Sequence, residues 1–430
     1  MPVRRFPLHT GDTTHENFAR DHRDFAGWTA AWPQVGVGFP MLTGVKFAFW
    51  LCIALVGFAY VGYPLLMAML ARTRRVPENR EALPLEAPSV DVLLVVHNGA
   101  DLLAAKLANL ASLDYPAGRL RINVACDGCE DRSEEIAREF TGADVRVFAF
   151  PERRGKSACI GEVLPLLEAD IVLFVDVRQR VEAQAAKRLV AALSDPAIGA
   201  ASGELILETD GGYGRGIDAY WRYEKLIRRL ESASGSLIGV TGALYAAKRT
   251  AIPQVPPGIV LDDMWIPLSI AAGGKRVVFE PEARAYDHAP TDPYLEERRK
   301  RRTLAGNYQL LHLWPQLAIP GAHPLCLRLW GHKWLRLLVP WLLLVVLFSS
   351  IVLTLAGSKF YALLLLLQGA AYGLAMAGRT WPGLAARFFP VRIGTAFVGL
   401  NSSALLALFD YLHDPQAHLW RTTRLGDSRR

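Results

Sequence analysis

The chain has 430 residues, of which 51% are hydrophobic, and its formal net charge is +7. This length and apolar content exceed those of one ordinary soluble domain and indicate a globular part combined with membrane segments. The basic charge does not indicate a nucleic-acid-binding protein, because the arginines lie mainly beside apolar runs and in one cluster near 298–302. Anionic lipid and phosphate are the expected partners of such a pattern.

The first apolar run follows an N-terminal polar tail, residues 1–45, and predicts a transmembrane helix over 46–72. No charged residue occurs between Lys46 and Arg72, and a helix needs about 20 residues to cross the hydrocarbon core. The run begins too late and is too long for a cleaved signal peptide, so we expect a retained anchor. Its C-terminal flank is rich in arginine, which predicts that the chain from residue 73 onward is cytosolic.

The C-terminal part predicts a second group of membrane elements. Residues 311–336 mix Trp, His and Arg with leucine, as interfacial helices do, and three further membrane helices are expected within 337–410, before a basic tail at 411–430. The last of the three, near 393–409, is the shortest. If it spans, the arginines of the tail lie outside, against the positive-inside rule, whereas a re-entrant or interfacial segment removes the conflict.

Between 90 and 205 the sequence alternates apolar strands with helical stretches, which predicts an α/β domain with a mostly parallel sheet. The expected strands are 90–96, 120–128, 144–150 and 170–176, and the expected helices are 100–113, 130–140 and 156–169. In such sheets ligands bind beyond the carboxyl ends of the strands. Polar residues stand at three of these ends, namely His97-Asn98, Asp127 and Asp176, and together they predict a nucleotide site.

Six motifs occur in a fixed order: "VVHNGAD", "CDGCED", "RRGKSACI", "FVDVRQ", "TGALYA" and "LDDMWIP". In this order they resemble the family 2 inverting glycosyltransferases, membrane synthases that use nucleotide sugars. The resemblance covers about 88–310 and implies a Rossmann-like, nucleotide-sugar-binding GT-A domain over 73–310, joined to transmembrane α-helices. It also explains the aspartate inside "CDGC", which otherwise matches a redox C-x-x-C motif.

The resemblance assigns roles to individual residues. It implies that Asp127 contacts the uracil, that Asn98 and Lys156 belong to the donor site, and that Asp176 lies at the ribose and diphosphate. The acceptor side is assigned to Thr241, Gly242, Ala243 and Asp262, and the catalytic base to Asp263. Inverting transfer does require one carboxylate that takes a proton from the acceptor hydroxyl. Asp262-Asp263 could equally cap the helix that follows, an ordinary use of aspartate.

Two motifs depart from the family pattern. "FVDVRQ" has Arg178 where the donor D-x-D motif has its second carboxylate, so we expect Arg178 to meet phosphate oxygen directly. We expect either weaker metal dependence or a divalent cation, Mg²⁺ or Mn²⁺, held by Asp176 with donor oxygens and His288. The Q-x-x-R-W motif keeps its arginine as Arg302, the expected diphosphate ligand, but lacks the tryptophan that stacks under a growing polymer. Processivity therefore stays open.

The expected protein is a multi-pass enzyme of the bacterial inner (plasma) membrane. It would move a sugar from a UDP-linked donor to a polysaccharide or polyprenyl-linked glycan, in exopolysaccharide or cell-envelope synthesis, together with polysaccharide-export subunits. The alternatives are single addition to a lipid-linked glycan and a degenerate, non-catalytic subunit. Nucleotidyl transfer is disfavoured by the predicted membrane spans and because the sequence has no Gly-rich activating loop near residue 97. On the amphipathic helix predicted over 220–237, Trp221 and Tyr223 either platform a sugar or belong to the core.

Overall fold

The computed structural model describes residues 39–73, 86–208, 215–288 and 293–413. Its eight strands are β1 Val90–Val96, β2 Leu120–Asp127, β3 Val145–Phe150, β4 Ile171–Val175, β5 Arg180–Val181, β6 Ile198–Glu208, β7 Leu244–Lys248 and β8 Arg276–His288. The first four agree with the predicted strands to within one residue at each end. For β1 and β4 the reason is that strands buried on both faces form nearly continuous apolar runs, which are easy to recognise.

One sheet holds all eight strands, in the order β3-β2-β1-β4-β7-β6-β8-β5. The four strands β1 to β4 pair in parallel. The other half is not parallel throughout, because β7 runs antiparallel to β4 and β6, and β5 runs antiparallel to β8. The expectation of a mostly parallel sheet therefore holds for the predicted half, and the whole sheet is mixed.

The helices fall into a membrane group and a domain group. The first group starts with α1 Phe39–Gly57 and α2 Tyr63–Thr73. The domain group is α3 Ala100–Ala111, α4 Ser133–Glu139, α5 Lys156–Val163, α6 Ala185–Ala192, α7 Arg215–Ala233, α8 Asp262–Ala272 and α9 Pro293–Leu313. The chain then continues through α10 Cys326–Leu329, α11 Leu335–Leu355, α12 Lys359–Thr380, α13 Pro382–Arg387 and α14 Phe389–His413.

The helices cover both faces of the sheet. Strand β1 shows how the sequence produces this arrangement: Val92 and Leu94 face the apolar layer under α3, α4 and α6, whereas Leu93 and Val95 face the layer under α5 and α8. Successive side chains of a strand point to opposite faces, so an uninterrupted apolar run can pack on both sides. The carboxyl ends of β1, β2 and β4 consequently meet at one edge, where the polar residues are.

Four helical segments of the described chain have the length and apolar composition needed to cross a membrane: Pro40–Thr73, Cys326–Leu355, Lys359–Thr380 and Phe389–His413. The first begins before residue 46, where the sequence predicted its start, and it extends to Thr73. A π-helical turn, Phe58–Gly62, joins α1 to α2, and a second π-helical turn, Trp330–Trp334, joins α10 to α11. The apolar helices thus continue directly into the segments that contact the domain.

Pro64 accounts for one contact between the first helix and the domain. Proline has no N–H, so the carbonyl four residues earlier, that of Tyr60, loses its usual intrahelical donor. The Tyr223 hydroxyl of α7 donates to this carbonyl at 2.7 Å. Tyr223 is therefore a packing residue of the helix interface, and the alternative that it platforms a sugar is not supported by its position.

A buried ionic network ties α7 to α2 and to the chain around the start of α11. Glu231 accepts from the Tyr63 hydroxyl at 2.5 Å and from His332 Nδ1 at 2.8 Å. Glu224 contacts His332 Nε2 at 3.1 Å and accepts from Arg336 at 2.5 Å. Burial raises the pKa of Glu224, but Arg336 and His332 together lower it well below its usual value. The network fixes α7 against the helices that enter the membrane group.

Helix α14 contacts the domain at its C-terminal end. Asp410 accepts from Arg301 of α9 at 2.7 and 2.5 Å. In the other half of α14, the Thr395 hydroxyl donates to the carbonyl of Ala375, near the C-terminal end of α12. At that same end of α12, Arg379 forms an ion pair with Glu297 of α9. Both halves of α14 therefore contact parts of the chain that lie at the same end of α12.

Candidate active site

The turn after β1 has the conformation that its sequence suggests. Asn98 has a positive φ of 48°, in the left-handed region that asparagine tolerates better than most residues. Its side-chain oxygen accepts from the backbone N–H of Glu130 at 2.8 Å, and His97 Nδ1 donates to the carbonyl of Asp127 at 2.6 Å. The ends of β1 and β2 are therefore fixed to each other beside the crevice.

Asp127 is fully buried, and its carboxylate holds the loop between β3 and α5. One oxygen accepts from the backbone N–H of Arg154 at 2.7 Å and the other from that of Gly155 at 3.0 Å. A carboxylate oxygen has a second lone pair, so these bonds do not use all its accepting capacity. Gly128 has a φ of +57°, and a Cβ there would lie 2.4 Å from the backbone nitrogen of Arg153. Only glycine fits this close approach.

Lys156 connects Asp176, which the sequence predicts on the donor side, to Asp262, which it predicts on the acceptor side. Its ammonium lies 2.9 Å from Asp176 and 3.4 Å from Asp262. Burial lowers the pKa of Lys156, but the attraction of Asp176 and Asp262 outweighs it, so the net pKa is raised. Lys156 is thus held as a cation between Asp176 and Asp262.

Asp262 and Asp263 open α8, as either reading of the sequence requires. Neither Asp262 nor Asp263 is the N-cap residue; that position is Leu261, which makes no side-chain cap bond. Burial and the neighbouring Asp262 raise the pKa of Asp263 to about 6, against the opposing effect of Lys156 and Lys333. A carboxylate with this pKa is ionised at neutral pH and is still a stronger base than an exposed aspartate.

The acceptor loop, residues 239–243, lies directly against Asp263. The backbone N–H of Val240 donates to the carbonyl of Asp263 at 2.9 Å. A Cβ on Gly242 would lie 3.6 Å from the Asp263 carboxylate oxygen, so this glycine leaves the space in front of the carboxylate open. Thr241 bonds through its N–H to Ser202, and Ala243 is buried. The structure thus brings all the predicted acceptor residues together around Asp263.

Two arginines contribute positive charge on the donor side. Burial lowers the pKa of Arg302, while Asp262, Asp263 and Asp176 act in the opposite direction, which places its guanidinium within electrostatic reach of all three carboxylates. Arg153 acts on Arg302 as a like charge. The Nε and Nη2 atoms of Arg153 are buried and have no hydrogen-bond partner among the described residues. Arginine matches phosphate in charge and geometry, so this pair is suited to a diphosphate.

Arg178 has a partner that the sequence analysis did not anticipate. Its guanidinium pairs with the buried Asp287, which also accepts from the side chain of Gln179 at 2.9 Å. His288 follows Asp287 at the end of β8 and is exposed. Within the described ranges no three His, Cys, Asp or Glu side chains cluster closely enough to hold a metal ion. The residues therefore do not fit a divalent site built by the protein alone.

Four residues of this region were missed in the sequence: Arg153, Arg228, Asp287 and Lys333. Arg153 stands next to the "RGK" turn, so its position in that motif was a usable signal. The others come from α7, β8 and the π-helical turn before α11, and only tertiary packing brings them near the site. Trp221, the second proposed sugar platform, lines a cavity of about 20 Å³, which has room for about one water molecule.

Two family models match parts of this chain. The model described as "Glycosyl transferase family 2" matches residues 91–246, and "Glycosyl transferase family group 2" matches 171–376. A mannosyltransferase from Pyrobaculum calidifontis, solved in complex with GDP-Man and Mn²⁺, superposes with a TM-score of 0.64 over 85% of this chain and 99% of that chain, at 23% identity. This likeness establishes a shared GT-A fold.

The chain is also similar to curated bacterial enzymes. It is 28% identical over 221 residues to an N-acetylglucosaminyltransferase of Rhizobium leguminosarum bv. viciae, covering 47% of this chain and 52% of the relative. A second N-acetylglucosaminyltransferase, from Rhizobium sp. (strain N33), is 28% identical over 252 residues, with 54% and 56% covered. A beta-monoglucosyldiacylglycerol synthase of Trichormus variabilis is 26% identical over 137 residues, 31% of this chain and 29% of the synthase.

The chain spans about half the length of the curated N-acetylglucosaminyltransferases it matches. The matched stretch, 91–376, contains the carboxylates, the lysine and the acceptor loop described above. The chain therefore has a GT-A fold whose residues 91–376 match two models of family 2 glycosyl transferases, accompanied among the described residues by four helices apolar enough to cross a membrane.

Proposed function

We propose that the protein is a membrane-embedded inverting glycosyltransferase that moves a sugar from a nucleotide-diphosphate donor to an acceptor hydroxyl. The observation that carries this proposal is the position of Asp263, which faces the open space left by Gly242 and lies in the same charged cluster as Lys156, Asp176 and Arg302. Base, donor-side acid and cations are thus assembled at the edge where such a sheet binds nucleotides.

In the proposed reaction Asp263 takes the proton of the acceptor hydroxyl. The acceptor oxygen forms a bond to the anomeric carbon while the bond from that carbon to the phosphate oxygen breaks. The electron pair leaves with the nucleoside diphosphate, and the configuration inverts because attack and departure occur on opposite faces. A positioned general base of this kind contributes about 10²- to 10⁴-fold to the rate.

The negative charge that develops on the leaving diphosphate is assigned to the basic side chains around it. Lys156, Arg302 and Arg153 supply positive charge without reorganisation, and such fixed charges stabilise a transition state strongly. We assign Arg178 to the same task, because five N–H donors allow a guanidinium to keep Asp287 and also bind a phosphate oxygen. A divalent ion held at Asp176 would supply Lewis-acid charge to the diphosphate.

For the donor we propose a UDP-linked sugar, with UDP-N-acetylglucosamine as the first to be tested. The support is the name shared by the first relatives. For the acceptor we propose a polysaccharide or a polyprenyl-linked glycan, in exopolysaccharide or cell-envelope synthesis. A diacylglycerol-type lipid is the acceptor class that the second group of relatives suggests. The length of the product distinguishes repeated addition of sugars to one acceptor from a single addition.

We further propose that the chain resides in a bacterial inner membrane with the domain in the cytosol. The helices Pro40–Thr73, Cys326–Leu355 and Lys359–Thr380 would cross the membrane. Helix α14 would lie along the cytosolic surface, because its two halves contact the same end of α12 and the domain helix α9. This arrangement removes the conflict with the positive-inside rule, since the basic tail then stays on the cytosolic side.

The test uses the full-length protein in detergent or nanodiscs. UDP, GDP and TDP sugars are screened with each acceptor class, with and without Mg²⁺ or Mn²⁺, and product formation is measured. We expect transfer by the wild type and transfer slower by about 10²- to 10⁴-fold by Asp263→Asn, which should still bind the donor. A non-catalytic subunit is the second candidate, favoured by the neutralisation of Asp176 and Asp262 by Lys156. Equal support of polysaccharide production by Asp263→Asn and wild type in cells would establish that candidate instead.

A further inference from the structure

Arg228 of α7 joins three separate elements at the acceptor side. Its Nη2 donates to the Ser202 hydroxyl of β6 at 2.6 Å, and its Nη1 donates to the Thr241 hydroxyl of the acceptor loop. Ser202 in turn accepts from the backbone N–H of Thr241 at 2.9 Å. The guanidinium carbon lies 5.1 Å from the centre of the Phe279 ring. Arg228 and Ser202 thus hold Thr241 by both its side chain and its backbone.

This arrangement bears on the catalytic base through the loop. On either side of Thr241, the backbone N–H of Val240 donates to the carbonyl of Asp263, and a Cβ on Gly242 would lie 3.6 Å from the Asp263 carboxylate. Arg228 itself lies among the carboxylates Glu204, Glu224, Glu231 and Asp263, which attract its charge. Its side-chain hydrogen bonds among the described residues go to Thr241 of the acceptor loop and Ser202 of β6, and not to Lys156 or Asp176. Arg228 is therefore placed to affect the acceptor and not the donor.

We propose that Arg228 is a positioning residue that holds the acceptor loop, residues 239–243, over Asp263 at the distance required for proton transfer. The kinetic consequence rests on the proposed glycosyltransferase activity. The structural consequence does not, because it concerns only the order of the loop. Misplacement of reacting groups by about 1 Å can cost about 100-fold in rate. Arg228 thus acts on the transfer step through the loop and does not touch the sugar.

The position of Arg228 is set from the membrane side. Glu231, one turn along the same helix, bonds to Tyr63 of α2 and to His332 of the π-helical turn. Arg328 also reaches the end of α7, donating to the carbonyls of Glu231 and Ser234 at 2.8 Å. The membrane helices therefore determine where α7 lies, and α7 determines where Arg228 meets the loop.

The experiment compares Arg228→Gln with Arg229→Gln, a matched control because the neighbouring Arg229 is exposed. With UDP-N-acetylglucosamine and the acceptor that the wild type uses, we expect kcat for Arg228→Gln to fall by about 100-fold. The donor KM should stay within about twofold of the wild type, and Arg229→Gln should match the wild type. A rise in donor KM with unchanged kcat, or no change at all, overturns the proposal.

A second measurement separates this proposal from the proposed function. Amide hydrogen exchange of peptides spanning 239–243 should accelerate in Arg228→Gln and not in Arg229→Gln, whether or not any sugar is transferred. Unchanged protection of the loop refutes the positioning role even if the enzyme is inactive. If the wild type transfers no sugar but the loop loses protection, the proposed function fails and the positioning role survives.

A third variant guards against misfolding of Arg228→Gln, which leaves buried carboxylates uncompensated. Thr241→Val removes the loop end of the Arg228 bond without changing any charge. In a double-mutant cycle the two substitutions should be strongly non-additive, because both break the same contact. Additive losses of kcat would mean that Arg228 and Thr241 act independently, which contradicts the proposal.

Discussion

The raised pKa of Asp263 makes a quantitative prediction for the pH profile of transfer. Burial beside Asp262 raises this pKa from 3.8 to about 6, and the base must be unprotonated to act. The active fraction is then about 90% at pH 7, half at pH 6 and about 10% at pH 5, so kcat/KM should fall roughly tenfold between pH 7 and pH 5. An exposed aspartate would give a flat profile over this range.

The assay measures initial rates with the purified full-length protein at constant ionic strength between pH 5 and pH 8. Asp263→Asn should lower kcat by about 10²- to 10⁴-fold while donor binding persists. Lys333→Met removes a cation that lowers the pKa of Asp263, so its profile should shift to higher pH and its rate at pH 6 should fall. A flat profile down to pH 5, or wild-type turnover by Asp263→Asn, would refute the assignment of Asp263 as the base.

Three further substitutions test the neighbours of the base. Lys156→Gln should raise the donor KM by about tenfold, equal to about 1.4 kcal/mol. It should also move the midpoint of the pH profile above 6, because Lys156 lowers the pKa of Asp263. An unchanged midpoint would show that Lys156 does not affect the ionisation of Asp263. Gly242→Leu should block acceptor turnover while Gly242→Ala retains it, since a Cβ there makes only ordinary contact at 3.6 Å; equal rates would show that the space is not used. Gly128→Ala should lower the Tm because its Cβ would lie 2.4 Å from the backbone of Arg153 at positive φ, and a Tm equal to that of the wild type would contradict this reasoning.

The predictable part of the fold is the part whose residues repeat a simple pattern. Strands β1 and β4 lie in nearly continuous apolar runs, and polar residues follow both of them. Strand β6, "IGAASGELILE", begins with small residues and pairs with neighbours on both sides from far along the chain. Its antiparallel pairing with β7 depends on contacts that no local pattern encodes, so the mixed half of the sheet was not foreseen.

The same distinction applies to the site. Asp127, Asp176 and Asp263 stand at strand ends or a helix start, which motif spacing identifies directly. Asp287 and Arg228 become site residues only because β8 and α7 pack where they do. The partner of Arg178 shows the consequence: the sequence suggested a guanidinium facing phosphate, whereas the fold supplies Asp287 as an internal counter-charge.

The ionic network around α7 has a consequence for the biosynthesis of the protein. Glu224 and Glu231 leave the ribosome well before His332 and Arg336, the last of which follows Glu231 by roughly 100 residues. At about 5–20 residues per second this delay lasts roughly 5–20 s. During that time α7 carries carboxylates without their cations, and an unpaired buried charge costs about 3–5 kcal/mol. The domain should therefore complete its folding only after the second apolar helix, Cys326–Leu355, has been synthesised.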